Sequence, residues 1–259
     1  MNVKSLNVFF FDLDGVLSVG KENLRYLGGR EIIEKLKKSG KKTFILTNDS
    51  THVREEIRQN LAKLGFNFAS EEILTSSYLT AHYLAERFLQ APFYLVGESG
   101  LRRELEAAGH YVSNKPKVVV VGLDRQLNYE KLNDALRYLR AGAELVGSYG
   151  GAVYMSDHGP ALSAGPIVKL LEFGSGERAT IIGKPSPLMF RIALRLANDK
   201  AGKAVMIGDQ IETDIVGARR AGVHTILVLT GVETRKGIRL SKIKPEAVIE
   251  NVDALAELL

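Results

Sequence analysis

Two carboxylates two positions apart, Asp12 and Asp14, stand where the apolar run Val8-Phe9-Phe10-Phe11 opens into Asp12-Leu13-Asp14-Gly15-Val16. A strand buried on both faces reads as continuous apolar sequence, and ligands of open α/β sheets gather at the carboxyl ends of such strands. The pair therefore lies where carboxylate chemistry is expected, and Gly15 frees the backbone to turn away from it. Three more apolar runs end in groups of the same kind. Thr47-Asn48-Asp49-Ser50 follows 43–46, Gly183-Lys184-Pro185-Ser186-Pro187 follows 179–182, and Gly208-Asp209-Gln210 with Thr213-Asp214 follows 204–207.

Taken singly, each element has a plain structural explanation. Thr47 could cap a helix, Lys184 could be a solvated turn lysine, and Asp209 with Asp214 could charge a helix start. Pro185 and the Ser186-Pro187 pair, read as cap and first helical residue, instead fix Lys184 at a strand-to-helix turn. A P-loop is excluded, because position 178 is Arg and position 185 is Pro. Right-handed crossovers are expected to bring all four strand ends to one rim of one sheet. Carboxylates meeting there would repel by about 4 kcal/mol per pair at about 4 Å in an effective dielectric of about 20. A divalent cation is expected among them, and Mg²⁺ suits an all-oxygen site that keeps several waters.

The elements that must position these groups alternate between strand-like and helical runs, which gives a doubly wound parallel α/β sheet. Segment 30–38 carries Ile32, Ile33 and Leu36 at helical spacing, and 53–64 repeats the pattern with Ile57, Leu61 and Leu64. A second strand series at 93–96, 118–122 and 145–147 points to an inserted α/β cap over 78–178, with the core in 1–77 and 179–259. The chain's 259 residues lie at the size where single cores begin to split, roughly 250–300 residues. Its net charge of +5 comes from Lys and Arg interleaved with Glu and Asp, a pattern favouring small anionic ligands over nucleic acid. Absence of cysteine excludes disulfides and thiolate metal sites. No leader pattern stands at 1–7 and no apolar run approaches the roughly 20 residues of a membrane span, so a soluble, cytoplasmic protein is expected.

These residues resemble the haloacid dehalogenase superfamily, specifically its NagD-like nucleotide, phosphoglycolate and pyridoxal phosphatases with a large cap. Asp12-Leu13-Asp14-Gly15-Val16 matches the first motif, Thr47-Asn48 the second, Lys184 the third, and Gly208-Asp209 with Thr213-Asp214 the fourth. The resemblance implies a Mg²⁺-dependent phosphomonoesterase that hydrolyses small phosphorylated metabolites through an aspartyl-phosphate. It implies Asp12 as nucleophile and Asp14 as acid and then base. Metal binding falls to the Asp12 side chain, the Asp14 carbonyl and Asp209, with Asp214 acting through water. Thr47, Asn48 and Lys184 would bind the phosphoryl group. A mutase and a non-catalytic phosphometabolite-binding protein are the alternatives, and a homodimer is one assembly this reading allows.

Two departures from the family pattern stand out. Asp49 replaces the Asn of the common Thr-Asn-Asn-Ser stretch, so its carboxylate is expected to point away from a bound anion. Ser148-Tyr149-Gly150-Gly151 replaces a Thr-Asn-x-Asp stretch of the cap, leaving Tyr149 and Tyr154 as candidates to stack on a ring substrate. Cap opening would hinge near 76–78 and 179–183.

Overall fold

The computed structural model describes residues 1–20, 24–156 and 159–259. Two compact units make up the chain: Met1–Thr47, Glu55–Leu74 and Lys184–Leu259 form one, and Asn48–Arg54 with Thr75–Gly183 form the other. Among the described residues no helix is long and apolar enough to cross a membrane.

The first unit is built on a six-stranded sheet ordered Ala247–Ile249, His224–Val228, Ala204–Gly208, Val8–Phe11, Lys42–Thr47, Ile73–Thr75. Val8–Phe11 pairs in parallel with Ala204–Gly208 on one side and Lys42–Thr47 on the other, and all four of its residues are buried. Alternation along the strand sends Phe9 and Phe11 into a cluster with Ile32, Ile33 and Leu36 of the Arg30–Lys38 helix. Phe10 stands on the opposite face, its ring 5.8 Å from that of Phe44. Each fully buried phenyl contributes about 1.5–3 kcal/mol, which fixes the central strand firmly. From this strand the chain builds outward in one direction and later returns to build in the other. The carboxyl ends of Val8–Phe11 and Ala204–Gly208 therefore flank the point where strand order reverses, the place where such sheets open a crevice.

The second unit has its own five-stranded parallel sheet, ordered Thr180–Ile181, Glu144–Gly147, Val118–Val121, Pro92–Val96, Tyr111–Val112. An antiparallel ribbon of Val153–Ser156 and Gly159–Leu162 accompanies it. The Thr180–Ile181 strand corrects the expectation of four strand ends on one sheet. It pairs with Glu144–Gly147 of this second sheet, so Lys184 is delivered from outside the six-stranded one.

The segment Asn48–Arg54 is fastened within the second unit. Ser76 Oγ donates to the carbonyls of Asn48 (3.0 Å) and Asp49 (2.9 Å), and Leu123 N–H donates to Ser50 Oγ (3.3 Å). A Cβ on Gly100 would fall 2.2 Å from the Thr51 carbonyl oxygen, so glycine alone admits this backbone approach. Arg54 N–H donates to Glu104 Oε1 at 3.0 Å, and the Arg54 guanidinium lies 3.6 Å over the Tyr78 ring. Asp49 turns into its own loop, as expected, and accepts from Thr51 N, Thr51 Oγ1, His52 N and His52 Nδ1 at 2.6–3.1 Å. Burial works against its charge, but the His52 imidazole and the backbone donors hold its carboxyl down at about 2.

His110 is a buried pin of the same unit. Its Nδ1 accepts from Ala91 N–H at 3.0 Å, which leaves Nε2–H to donate to the Ala81 carbonyl at 3.1 Å. His110→Leu strands both backbone groups and is expected to cost about 2–4 kcal/mol, read from the urea unfolding midpoint. For Asp49 the folded carboxyl titrates below its unfolded value of 3.8, so its stabilisation is complete above about pH 4 and is lost as pH falls toward about 2. Wild type should therefore exceed Asp49→Asn by about 2 kcal/mol at neutral pH, with the gap closing through that acid window in the same unfolding assay.

Candidate active site

Neighbouring strand ends of the six-stranded sheet supply most of the site. Asp12 follows Val8–Phe11, Thr47 ends Lys42–Thr47, and Asp209 follows Ala204–Gly208. Ser186 Oγ caps the Pro187–Leu196 helix by accepting from Leu188 N–H, with Pro187 in the first helical turn. That capped turn, entered through a cis Lys184–Pro185 peptide, sets the lysine in place.

Lys184 is 1% exposed, and its ammonium meets three oxygens: Asp12 Oδ1 at 2.8 Å, Asp214 Oδ1 at 2.7 Å and the Leu46 carbonyl at 2.9 Å. Burial disfavours the ammonium, but Asp12 and Asp214 more than offset this and push its pKa above the ordinary lysine value. Asp214 does not cap the helix that follows it. Its Oδ2 reaches back to accept from Asp209 N (3.2 Å) and Gln210 N (3.1 Å), fastening the turn that carries Asp209.

Oxygens of Asp12, Asp209 and Asp214 all lie within 4.8 Å of one another, and all three residues are buried. Burial, reinforced by the Asp214 charge, pushes Asp209 up to about 7, and burial likewise raises Asp12 well above its ordinary value. One lysine thus faces more negative charge than it neutralises. Among the described residues no donor reaches the buried Asp209 Oδ1, a lone pair that calls for a cation. Hard oxygen donors in this number suit Mg²⁺ or Ca²⁺, so the donor set fits a divalent metal.

Glycines make room for this cluster. A Cβ on Gly231 would fall 2.0 Å from Asp209 Oδ2, one on Gly15 2.5 Å from the same atom, and one on Gly208 2.4 Å from Asp214 Cβ. Gly15 also has φ +79°, a left-handed conformation that favours glycine. The loop after His224–Val228 completes the setting, and sequence reasoning missed it. Val232 N–H donates to Asp209 Oδ2 at 2.8 Å, and Thr230 Oγ1 donates to the Gly15 carbonyl at 2.6 Å. Its only sequence signal is Thr230-Gly231 directly after an apolar strand.

The other expected residues fall as follows. Thr47 is buried at its strand end, while Asp14 is exposed at the turn that follows Asp12. Asn48 begins the second unit, where a Cβ on Gly183 would fall 2.7 Å from its Oδ1. Tyr149 also lies in the second unit, with its ring folded along its own loop so that a Cβ on Gly151 would meet its hydroxyl at 1.9 Å.

Replacing Lys184 by Met leaves Asp12 and Asp214 buried without their counter-charge. The expected cost is about 3–5 kcal/mol in denaturant unfolding at neutral pH without divalent metal, and adding Mg²⁺ should recover part of it.

Two models of haloacid dehalogenase-like hydrolases match the chain, one over residues 9–111 and the other over 181–255. An acid sugar phosphatase of Staphylococcus aureus is 30% identical over 259 residues, covering 99% of both chains. The p-nitrophenyl phosphatase of Archaeoglobus fulgidus superposes with a TM-score of 0.93 at 31% identity, over 98% of this chain and 100% of that one. A glycerol phosphate phosphatase of Mycobacterium tuberculosis in complex with calcium gives 0.86 at 26% identity, over 98% of this chain and 75% of that one. With these likenesses spanning nearly its whole length, the chain belongs to the haloacid dehalogenase-like hydrolases, among the NagD-like phosphatases that cleave phosphoric monoesters.

Proposed function

We propose that this phosphatase is Mg²⁺-dependent, acts on small phosphorylated metabolites, and works through a phosphoaspartate at Asp12. The observation that carries the reading is the buried Asp12–Lys184 pair beside Asp209, whose Oδ1 has no hydrogen-bond partner among the described residues. Asp12, Asp209 and Asp214 are the side chains that would hold the metal or orient its ligands, joined by the Asp14 carbonyl. When bound, the cation supplies neutralisation of the carboxylates and of the phosphoryl charge.

Asp12 attacks phosphorus, forming an Asp12–phosphorus bond as the bond to the leaving oxygen breaks. Lys184 favours the ionised, nucleophilic form of Asp12 at 2.8 Å, against the effect of burial. Asp14 gives its proton to the leaving oxygen, and its exposure suits a group that exchanges protons with solvent. A water then attacks phosphorus while Asp14 takes one of its protons, and the Asp12–phosphorus bond breaks to release inorganic phosphate. Thr47, the Asn48 backbone amide and Lys184 bind the phosphoryl oxygens. Tyr149 is assigned to the leaving group, where its ring offers an apolar face to cyclic substrates.

Two measurements test this reading. Phosphate release from p-nitrophenyl phosphate should vanish with EDTA and return with Mg²⁺. Asp12→Asn should lower kcat by at least about 10⁴-fold while leaving the unfolding transition cooperative. Turnover retained in Asp12→Asn would refute the nucleophile assignment, and isomerised product in place of free phosphate from sugar phosphates would point to a mutase.

A further inference from the structure

The loop that follows the His224–Val228 strand ties two parts of the acid cluster together, and the hydrolytic chemistry above gives it no role. Its ends are fixed. Leu229 N–H donates to the carbonyls of Ile249 (3.2 Å) and Glu250 (3.3 Å), and Thr234 Oγ1 accepts from Gly237 N–H at 3.1 Å to cap the Arg235–Leu240 helix. Between these ends, Val232 N–H donates to Asp209 Oδ2 at 2.8 Å and Glu233 N–H donates to the Asp209 carbonyl at 3.1 Å, so Asp209 is held by side chain and main chain at once. Thr230 reaches the other way, donating from Oγ1 to the Gly15 carbonyl at 2.6 Å.

These contacts restrict two of the oxygens assigned to the cation. Asp209 is 1% exposed, its Oδ2 is taken by Val232, and a Cβ on Gly15 or Gly231 would fall 2.5 or 2.0 Å from that same oxygen. The carboxylate is thereby held in one setting, with Oδ1 left as the lone pair that no donor reaches among the described residues. On the other side, the Asp14 carbonyl belongs to the peptide whose N–H, that of Gly15, donates to the Ser18 carbonyl at 2.8 Å. The next peptide is the one Thr230 holds. Gly15 has φ +79° and, without a side chain, wide backbone freedom of its own, so pinning both of its peptides is what fixes the turn. Of the two pins, Thr230 supplies the one that joins this turn to the loop gripping Asp209.

We infer that Thr230 is a positioning residue for the metal centre: its hydroxyl, acting through the Gly15 carbonyl, holds the Asp12–Gly15 turn in register with Asp209, so that the Asp14 carbonyl and Asp209 Oδ1 are pre-set to share one divalent cation. The inference rests on the Mg²⁺-dependent reading above and adds to it a residue that touches neither substrate nor metal. Groups that orient metal ligands in this way matter because a cation repays only ligands that are already placed, and their loss lowers metal affinity by about 10–100-fold.

The experiment titrates Mg²⁺ into the metal-free full chain by calorimetry, with no substrate present. Thr230→Val keeps the shape of the side chain but removes the donor, and is expected to raise the Mg²⁺ Kd by about tenfold, whereas Thr230→Ser restores the donor and should stay within about twofold of wild type. Thr225→Val is the control on the same strand: it removes a hydroxyl that accepts from Glu246 N–H at 3.2 Å, away from the acid cluster, and should leave the Kd unchanged. In turnover of p-nitrophenyl phosphate, Thr230→Val should shift the half-saturating Mg²⁺ concentration by the same factor while KM at saturating Mg²⁺ holds. An unchanged Kd in Thr230→Val would overturn the inference, as would equal weakening in Thr225→Val or Thr230→Ser, which marks a general loosening of the loop. Should Thr230→Val fail to fold, Thr230→Ala against Thr230→Ser carries the same comparison. Failure of the wild-type protein to take up Mg²⁺ at all would instead sink the metal-dependent reading itself.

Discussion

A single buried ammonium holds the first unit's acid cluster together. Lys184 satisfies its hydrogens with the Asp12 and Asp214 carboxylates and the Leu46 carbonyl, and it is nearly inaccessible to water. Such a charge is tolerated only when its partners are well placed, and the surrounding structure is arranged to place them. The central Val8–Phe11 strand delivers Asp12, the capped Pro187–Leu196 helix delivers Lys184, and Asp214 fastens the turn of Asp209 while facing the same ammonium.

The excess of negative charge over positive in that cluster is its functional content. Two carboxyls are pushed upward by burial, and among the described residues no donor reaches a buried Asp209 oxygen. A site complete in its hydrogen bonds would have nothing to offer a cation or an incoming phosphoryl group. This one instead keeps an unfilled demand for positive charge beside the Asp12 carboxylate, while glycines at 15, 208 and 231 keep side-chain bulk out of the space. The energetic strain of the acids is local, and the apolar clusters of the sheet offset it.

Much of this was legible from sequence because strand ends advertise themselves. Apolar runs ending in Asp12, Thr47 and Asp209 obey a rule that depends only on burial and sheet topology, and the structure sets those three strands side by side. Lys184 was legible through its turn chemistry, Ser186 and Pro187, although the strand before it joins the other sheet. Two residues, Thr180 and Ile181, carry too little pattern to show which sheet they enter. The contribution of Thr230 to Val232 was hidden because it acts through one hydroxyl, one main-chain amide and the lack of a side chain at Gly231, none of which has a periodic signature. Asp49 read as a charge turned away from a bound anion, but the donors that receive it sit within three residues and depend on a turn that only the fold reveals.

The fastening of Asn48–Arg54 bears on how such proteins diversify. Because this short stretch is held by Ser76, Gly100, Glu104 and Leu123, the polypeptide passes between its two units at four places rather than two. A swap that cuts only at 74/75 and 183/184 would strip the stretch of its moorings. Recombination between relatives must therefore exchange both pieces as one module, and an insert that travels alone would arrive without the ground it is built to grip.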